Sequence, residues 1–186
     1  MYRPGRAKTR PRVPGAGGPG YRGRMGDFAN SYLGRLRAIV GSRLLLVPGQ
    51  RVVVENAAGA VLLQLRSDFG LWGLPGGVPD EGEGGEATAI RETFEETGIL
   101  LRDPRPFGVA SDPAYEIWTY PNGDRCHYFT TLYWSRSFEG RLIGRNDESL
   151  AVGWFAPDAL PDLMPVMRRT LDAYRAFRET GEFQTI

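Results

Sequence analysis

The sequence contains one cysteine and one histidine among its 186 residues. A single cysteine excludes an intrachain disulfide, so the fold depends on a hydrophobic core, and a chain of this length can bury well over half of its unfolded surface. No apolar run approaches the roughly 18 residues of a membrane-spanning helix, and no hydrophobic segment follows the basic N-terminus as it does in a signal peptide. We therefore expect a soluble, cytoplasmic protein with one main domain and no membrane partner.

Acidic side chains are absent from the first 24 residues, which hold seven of the 23 basic residues together with six glycines and four prolines. Such a segment buries too little apolar surface to repay the entropy of ordering, so residues 1–24 are predicted to be a disordered basic tail. An arm that binds RNA or phosphate is the functional alternative. The rest of the chain carries a net charge of −6, which makes nucleic acid a poor partner and suits a divalent cation.

Apolar periodicity and turn residues divide the remainder into the helices and strands of a mixed α/β (α+β) fold. Residues 25–48 are assigned to an N-terminal helix, over 27–40, and a short extended segment at 44–47. Residues 49–182 are assigned to the main domain. Its predicted strands cover 51–55, 60–65, 107–110, 115–120, 126–134 and 151–155, and its predicted helices cover 85–97 and 162–180. Turns are expected at 56–59, which returns one strand onto the next, and at 121–124, whose Pro-Asn-Gly-Asp sequence favours a hairpin.

The predicted helix at 85–97 carries an unusual pattern of charge. At 100° per residue, Glu92, Glu95 and Glu96 share one face. The opposite, apolar back is formed by Ala87, Ile90, Phe94 and Thr97. Like charges at helical spacing repel each other, and this face has no lysine to offset them. Mg²⁺ or Mn²⁺ would offset the repulsion, because these ions prefer oxygen ligands; the alternative is a solvated acidic face.

The segment around this helix resembles the Nudix box of MutT-like hydrolases. Every fixed position of that pattern matches over residues 77–99, and the one departure is Thr93 at an aliphatic position, where a β-branched side chain of similar size should have little effect. The matching positions are Gly77, Glu83, Arg91-Glu92, Glu95-Glu96 and Gly98-Ile99. The resemblance extends to Trp72-Gly73-Leu74-Pro75-Gly76-Gly77, and to Trp154-Phe155 followed by Leu160-Pro161.

The resemblance implies a Nudix-type α/β/α sandwich, in which a mixed sheet lies between helices and the box forms a loop–helix–loop. It also implies water attack on phosphorus, assisted by a glutamate-bound cation. By the same resemblance, Glu92 and Glu96 are the primary ligands of Mg²⁺ or Mn²⁺, Glu95 is a third, and the carbonyl of Gly76 can complete the set. Arg91 is expected to hold Glu95, with a simple surface ion pair as the alternative. Which glutamate accepts the proton of the water stays open.

Three further residues are expected near the ligands. Gly77 and Glu83 would stand outside the set that binds the cation, and Glu83 either supports that set or is purely structural. Glu148, six residues before Trp154, is predicted to be a metal ligand from a later loop. Asp147 is its competitor, and a solvated loop acid is the alternative.

The implied substrate is a nucleoside diphosphate linked to another moiety, such as ADP-ribose, an ADP-sugar or a dinucleoside polyphosphate. Pro113 and Tyr115, which lie 14 and 16 residues beyond Ile99, do not separate these classes. Tyr115 is predicted either to stack on a base or to pack as an ordinary strand residue. Arg66 is a candidate phosphate contact.

The remaining candidates are assigned weaker roles. Arg136 and Arg145 are further possible phosphate contacts, whereas His127 and Cys126 are expected to be structural residues of a strand. Three alternatives to the leading function remain: a (d)NTP pyrophosphohydrolase, an RNA-processing hydrolase that uses the basic tail, and a Nudix-like domain that senses a nucleotide without cleaving it. The intact box disfavours the last of these. A homodimer is compatible with the sequence.

Overall fold

The computed structural model describes residues 28–186, so the tail predicted at residues 1–24 lies outside the described part of the chain. A single 3₁₀ turn, Phe28–Asn30, precedes the first helix. The helices are α1 (Tyr32–Val40), α2 (Gly85–Thr97), α3 (Pro113–Glu116) and α4 (Pro165–Thr180). The strands are β1 (Leu45–Val54), β2 (Val61–Arg66), β3 (Trp72–Gly73), β4 (Ile99–Arg102), β5 (Arg105–Ala110), β6 (Ile117–Thr119), β7 (Arg125–Ser135), β8 (Ser137–Gly140), β9 (Ser149–Phe155) and β10 (Gln184–Thr185).

The strands form one mixed sheet and two smaller ones. The largest has the order β1-β7-β5-β10, with β6 paired to β7. In it β1 runs parallel to β7, whereas β5 and β6 run antiparallel to β7. A second sheet has the order β3-β2-β9, and β4 pairs with β8. No helix of the described residues is long and apolar enough to cross a membrane.

Alternation along β1 builds a core on both of its faces. Val53 packs in a cluster that includes Leu171 of α4, whereas Val52 and Val54 pack in a second cluster with Ala89 of α2. Successive strand residues point to opposite faces of a sheet, so the central sheet lies between two helices. This is the mixed α+β sandwich that the sequence predicts.

The sequence suggests a junction between two segments at Pro48 and Gly49. In the structure, strand β1 continues through both residues. The N–H groups of Gln50 and Val52 point away from β7 and donate to the carbonyls of Gly77 and Pro75. Proline at 48 has its nitrogen on that same side of the strand, so it removes no bond to β7. Proline is tolerated in a strand under that condition.

Two other expectations about strands are wrong. Strands β1 and β2 do not form a hairpin, because they meet only at the bridge between Glu55 and Val61 and then enter different sheets. Residues 115–120 are not one strand, because the carboxylate of Asp112 accepts from the N–H of Ala114 and, with Pro113 at the first helical position, starts helix α3. The hairpin predicted at 121–124 is confirmed, since β6 and β7 pair on either side of Gly123 at φ 84°.

The buried face of α2 also differs from the prediction. Phe94 is 51% exposed and Ala87 is exposed, whereas the buried residues are Thr88, Ala89, Thr93, Glu96 and Thr97. The threonines suit a close approach to the sheet because they are small, and the hydroxyl of Thr97 bonds back to the carbonyl of Thr93. The acidic and buried faces therefore overlap at Glu96 rather than lying opposite each other.

Candidate active site

A cavity of about 760 Å³ lies between α1, α2, the β6–β7 hairpin and the loop at residues 146–148. At one end are the carboxyl groups of Glu92, Glu95 and Glu96 from α2, together with Glu148 from the loop. The structure thus brings together the four acidic residues predicted as metal ligands. They share this end with the glycine loop at residues 76–77.

Two adjacent glycines let the backbone of that loop touch the acidic face. The N–H of Gly76 donates to Glu96 Oε2 at 2.8 Å. A Cβ on Gly77 would lie 2.3 Å from both Cδ and Oε1 of Glu92, and a Cβ on Gly76 would lie 2.1 Å from the carbonyl oxygen of Gln50. Only glycine fits at residue 76, because backbone atoms of β1 block a Cβ there, whereas a Cβ at residue 77 would displace the carboxylate of Glu92.

Burial makes this acidic end costly to ionise. It raises the pKa of Glu96 to about 8, and the charge of Glu92 adds to the rise. It also raises the pKa of Glu92 to about 7, where the adjacent Arg91 opposes the rise and Glu95 and Glu148 add to it. Carboxyl groups whose ionised form is disfavoured by burial and by each other gain most from a nearby positive charge.

Among residues 28–186, Arg91 and Arg66 bring positive charge to this end, and Arg91 contacts the glutamates directly. Its Nη1 contacts Glu92 Oε1 at 2.9 Å and Glu95 Oε2 at 3.1 Å. Its Nε and Nη2 donate to the two carboxylate oxygens of Glu83 at 2.9 and 2.8 Å, and Nη2 also donates to the carbonyl of Val78. The guanidinium is therefore held by Glu83 on one side and presented to the glutamates on the other. Arg91 does more than form a surface ion pair.

Glu83 has a structural role in the same contacts. Burial works against ionisation of this carboxyl, but the bonds from Arg91, from the N–H of Asp80 and from the hydroxyl of Thr88 lower its pKa overall. All three donors lie in the box loop or the first half of α2. Glu83 thus fixes Arg91 and the start of the helix, and it does not belong to the acidic group at the cavity end.

The loop at residues 146–148 is tied to both sides of the cavity. Asn146 Nδ2 donates to the carbonyl of Glu95 at 2.9 Å, and its Oδ1 accepts from the N–H groups of Glu148 and Ser149. Ser67 at the end of β2 bonds to the carbonyls of Asp147 and Glu148. Glu148 and Asp147 both line the cavity, and desolvation, with Glu95 nearby, raises the pKa of Glu148.

The acidic end is suited to a divalent cation but is not preassembled around one. Among residues 28–186, no three His, Cys, Asp or Glu side chains already stand in an arrangement that holds a metal ion. Glu92 and Glu95 turn to Arg91, and Glu96 turns to the N–H of Gly76. Oxygen donors, raised pKa values and the space left by Gly77 nevertheless match the preference of Mg²⁺ and Mn²⁺ for carboxylate and carbonyl ligands.

Comparison with known proteins decides the family. The model of the NUDIX domain matches residues 45–174, which is more than half of the chain. The chain belongs to the Nudix family.

Its relatives include hydrolases named for nucleotides. The chain is 31% identical over 128 residues to the Bacillus subtilis protein named "Putative 8-oxo-dGTP diphosphatase", covering 68% of this chain and 78% of that protein. It is 33% identical over 123 residues to a MutT-like protein of Streptomyces ambofaciens, covering 65% and 72%. A MutT Nudix hydrolase from Burkholderia pseudomallei is similar in structure, with a TM-score of 0.58 at 30% identity over 69% of this chain and 98% of that one. This Nudix protein is therefore a hydrolase that acts on pyrophosphate bonds.

Other sequence candidates lie at varying distances from the Nudix cavity. Arg66 lines it, although both of its carboxylate contacts go to Asp68, at 2.9 and 2.6 Å. Tyr115 does not line it: this residue lies on α3, and its ring is covered by the guanidinium of Arg169 of α4 at 3.8 Å. Pro113 is the first residue of the same short helix.

The weaker candidates have structural partners. Arg136 pairs with Glu55 and, like the exposed Arg145, does not line the cavity. His127 Nε2 bonds to the carbonyl of Ser111. Cys126 is buried in β7 and accepts from Arg37, yet it also forms part of the cavity wall.

Sequence reasoning missed the aromatic end of the Nudix cavity. Trp118, Tyr120 and Tyr128 line this end, and the two tyrosine hydroxyls lie 2.7 Å apart. Alternation gave a signal, because Trp118 and Tyr120 are two residues apart before the hairpin turn and so share a face. Leu33 and Arg37 of α1 also line the cavity, and no sequence pattern indicated that they would.

A second missed residue supports Glu96 from inside the protein. Gln64 of β2 is fully buried, and its Oε1 accepts from the hydroxyl of Ser149 at 2.5 Å. Its Nε2 meets no acceptor in ordinary hydrogen-bond geometry, but it faces Glu96 closely enough to lower the pKa of that carboxyl. A buried glutamine between leucines in a strand is a signal that sequence analysis can use, because such a group needs polar partners.

Proposed function

We propose that this Nudix hydrolase cleaves the pyrophosphate bond of a nucleoside diphosphate derivative, such as ADP-ribose, an ADP-sugar or a dinucleoside polyphosphate, in a reaction that requires Mg²⁺ or Mn²⁺. The observation that carries the proposal is the contact of the glycine loop with the acidic face: Gly76 bonds to Glu96, and Gly77 leaves no room for a Cβ beside Glu92. Such a contact supports a site where backbone, cation and phosphate approach closely.

The proposed ligands are Glu92 and Glu96, with Glu95 or Glu148 completing the acidic set. The carbonyl of Gly76 is proposed as a further ligand, because the N–H of the same residue already contacts Glu96. A divalent cation bound there would neutralise phosphate oxygens and make water more acidic. Arg91, which already contacts Glu92 and Glu95, would keep these carboxylates oriented.

We assign acceptance of the water proton to Glu148 or Glu95. Both line the cavity, and neither shares the two interior contacts of Glu96 with Gly76 and Gln64. Desolvation raises the pKa of Glu148 above its ordinary value, and a carboxylate beside the reacting water is a suitable proton acceptor. Glu148 comes from a loop that Asn146 holds against α2, so its position relative to Glu95 is fixed.

A second candidate is hydrolysis of a nucleoside triphosphate to a monophosphate and pyrophosphate. The name of the Bacillus subtilis relative favours it. The cavity of about 760 Å³ falls within the roughly 300–1,000 Å³ of small-molecule sites, so it accommodates one nucleotide of either kind. The two candidates differ in their second product, which is a phosphorylated sugar or nucleotide in the first case and inorganic pyrophosphate in the second.

The test is a substrate panel with Mg²⁺ and with Mn²⁺, in which both products are identified by chromatography. The panel contains ADP-ribose, ADP-sugars, dinucleoside polyphosphates and nucleoside triphosphates, including 8-oxo-dGTP. Glu96→Gln is expected to lower kcat on the best substrate by at least about 10²-fold. Glu86→Gln is the matched control, because Glu86 is exposed on the same helix and does not line the cavity. Wild-type turnover by Glu96→Gln would rule out the proposed site.

A further inference from the structure

Helix α1 lies before the region that matches the NUDIX domain, yet it forms one wall of the cavity. The family match begins at residue 45, whereas the side chains of Leu33 and Arg37 line the cavity beside the β6–β7 hairpin. Leu33 also packs against the cluster of Val47, Cys126 and Tyr128. A helix outside the common domain thus takes part in shaping the substrate site.

Arg37 joins this helix to the hairpin. The side chain is only 7% exposed, and its guanidinium donates to the carbonyls of Gly41, Arg43 and Arg125 and to Cys126 Sγ. Its Nε lies 3.7 Å from the carboxylate of Asp124 at the hairpin turn. Burying a guanidinium lowers stability unless its N–H groups find acceptors. Here the acceptors come both from the chain that follows α1 and from β7. The hairpin and α1 are therefore fixed to each other through one side chain.

The hairpin that Arg37 fixes carries the aromatic end of the cavity. The rings of Trp118 and Tyr128 are 5.3 Å apart, and Trp118 lies 6.4 Å from Tyr120. Asn122 and Asp124 at the turn also line the cavity. This end therefore offers flat apolar faces and a few hydrogen-bonding groups.

The charged side chains of the cavity indicate whether a phosphate or a neutral ring suits the aromatic end. Among residues 28–186, each arginine that lines the cavity is already paired with a carboxylate of the protein. The pairs are Arg37 with Asp124, Arg51 with Glu116, Arg66 with Asp68, and Arg91 with Glu83. An additional phosphate at the aromatic end would face Asp124 and Asp68 without a new cation, whereas a neutral planar ring would stack on the aromatic faces at no electrostatic cost.

We propose that α1 and the β6–β7 hairpin form the nucleobase subsite, and that Arg37 is the positioning residue that holds this subsite together. The proposal rests on the proposed function, since it assumes that the glutamate end binds the pyrophosphate. It assigns substrate specificity to a helix outside the matched domain. Arg37 acts through the hairpin and does not touch the reacting atoms.

The first test measures KM and kcat for Arg37→Met and Arg37→Lys on four nucleotides that differ only in their base. Because the subsite contributes binding that is equal in the ground and transition states, Arg37→Met should raise KM by about tenfold or more and change kcat by less than about threefold. Differences in KM among the four bases should shrink. Arg37→Lys should recover part of the effect. Ile39→Ala is the control, because Ile39 is 83% exposed on the same helix and does not line the cavity.

The second test does not depend on turnover. Binding of nucleoside monophosphates without a divalent cation is followed by quenching of tryptophan fluorescence, with Trp118→Phe identifying the signal. Arg37→Met should weaken this binding by about the same factor by which it raises KM. If Arg37→Met does not fold, Leu33→Ala replaces it, since it widens the same subsite and leaves the guanidinium contacts intact.

The outcomes separate the two proposals. An unchanged KM pattern across the four bases, with wild-type quenching, in a folded Arg37→Met or Leu33→Ala variant would overturn the subsite. A loss of kcat with unchanged KM would overturn it too, by showing that α1 supports the glutamate end instead. A wild-type protein that binds nucleoside monophosphates but hydrolyses no nucleotide with either metal would instead contradict the proposed function.

Discussion

Replacing Gly77 by alanine is expected to lower the rate by about 10²-fold with little loss of stability. The new Cβ would lie 2.3 Å from Cδ of Glu92 and 2.7 Å from its Oε2, about 1 Å closer than ordinary van der Waals contact. The atoms it meets are the end of a flexible side chain, so Glu92 can rotate away. A carboxylate displaced by about 1 Å from a reaction centre costs on the order of 10²-fold in rate.

The neighbouring glycine provides the contrast. A Cβ on Gly76 would lie 2.1 Å from the carbonyl oxygen of Gln50 and 2.9 Å from Cα of Arg51, which are backbone atoms of a central strand. Gly76 also has a φ of 152°, which residues with a side chain rarely adopt. Gly76→Ala should therefore lower the free energy of unfolding by several kcal/mol, roughly the largest effect expected of one substitution. Gly144→Ala is the control, because a Cβ there meets nothing within 4 Å.

Three measurements on these variants decide the matter. Urea denaturation gives the free energy of unfolding, steady-state kinetics on the best substrate give kcat, and electron paramagnetic resonance of Mn²⁺ gives metal affinity. Gly77→Ala should unfold within about 1 kcal/mol of wild type, since surface-like adjustments cost little, while losing both kcat and Mn²⁺ affinity. A stable Gly77→Ala variant with wild-type kcat would show that the contact with Glu92 has no part in the reaction. Equal destabilisation by both substitutions would show that Glu92 cannot move.

Three further predictions concern charged side chains. Arg51→Met should lower the free energy of unfolding by about 3–5 kcal/mol in urea denaturation, because it leaves the buried carboxylate of Glu116 without its partner. Adding Glu116→Leu should restore most of the loss. Burial raises the pKa of Glu96 to about 8 in the folded state from an ordinary value of 4.5. Because the ionised form is disfavoured in the folded protein, metal-free protein should lose stability, on the order of a few kcal/mol, as pH rises from about 5 to about 8. A free energy of unfolding that rises over this pH range would contradict that pKa. Glu148→Gln should reduce kcat by about 10²-fold or more, whereas Asp147→Asn should not, and the opposite ranking in steady-state kinetics would exchange their roles.

The acidic end could be predicted from sequence because its chemistry dictates residue types at fixed spacing. Glu92, Glu95 and Glu96 must share a face of one helix, and Gly76 must let the backbone approach them, so the local pattern is enough. The signal for helix α3 was also local, in Asp112 followed by Pro113, which are favoured residues at a helix N-terminus. The strand predicted over residues 115–120 did not take this signal into account.

The aromatic end could not be predicted in the same way, because its parts come from distant segments. Arg37 meets acceptors at residues 41, 43, 125 and 126, and an arginine in an amphipathic helix ordinarily faces solvent. Of the residues predicted on the back of α2, Ile90 and Thr97 do pack inward, whereas Ala87 and Phe94 are exposed. In the structure, Phe94 is 51% exposed and Thr93 is fully buried.

The side-chain amide of Asn146 is a position at which slow chemical change would disturb the site. One side-chain amide holds the late loop to α2, donating to the carbonyl of Glu95 and accepting from the N–H of Glu148. Spontaneous deamidation would replace the donor nitrogen by an acceptor oxygen and add a negative charge beside carboxyl groups that already resist ionisation. The bond to the helix would become a repulsion between two oxygens. The activity of purified protein would then fall as the deamidated fraction rises. Mass spectrometry of stored samples would measure that fraction, and turnover of the same samples would decline in parallel.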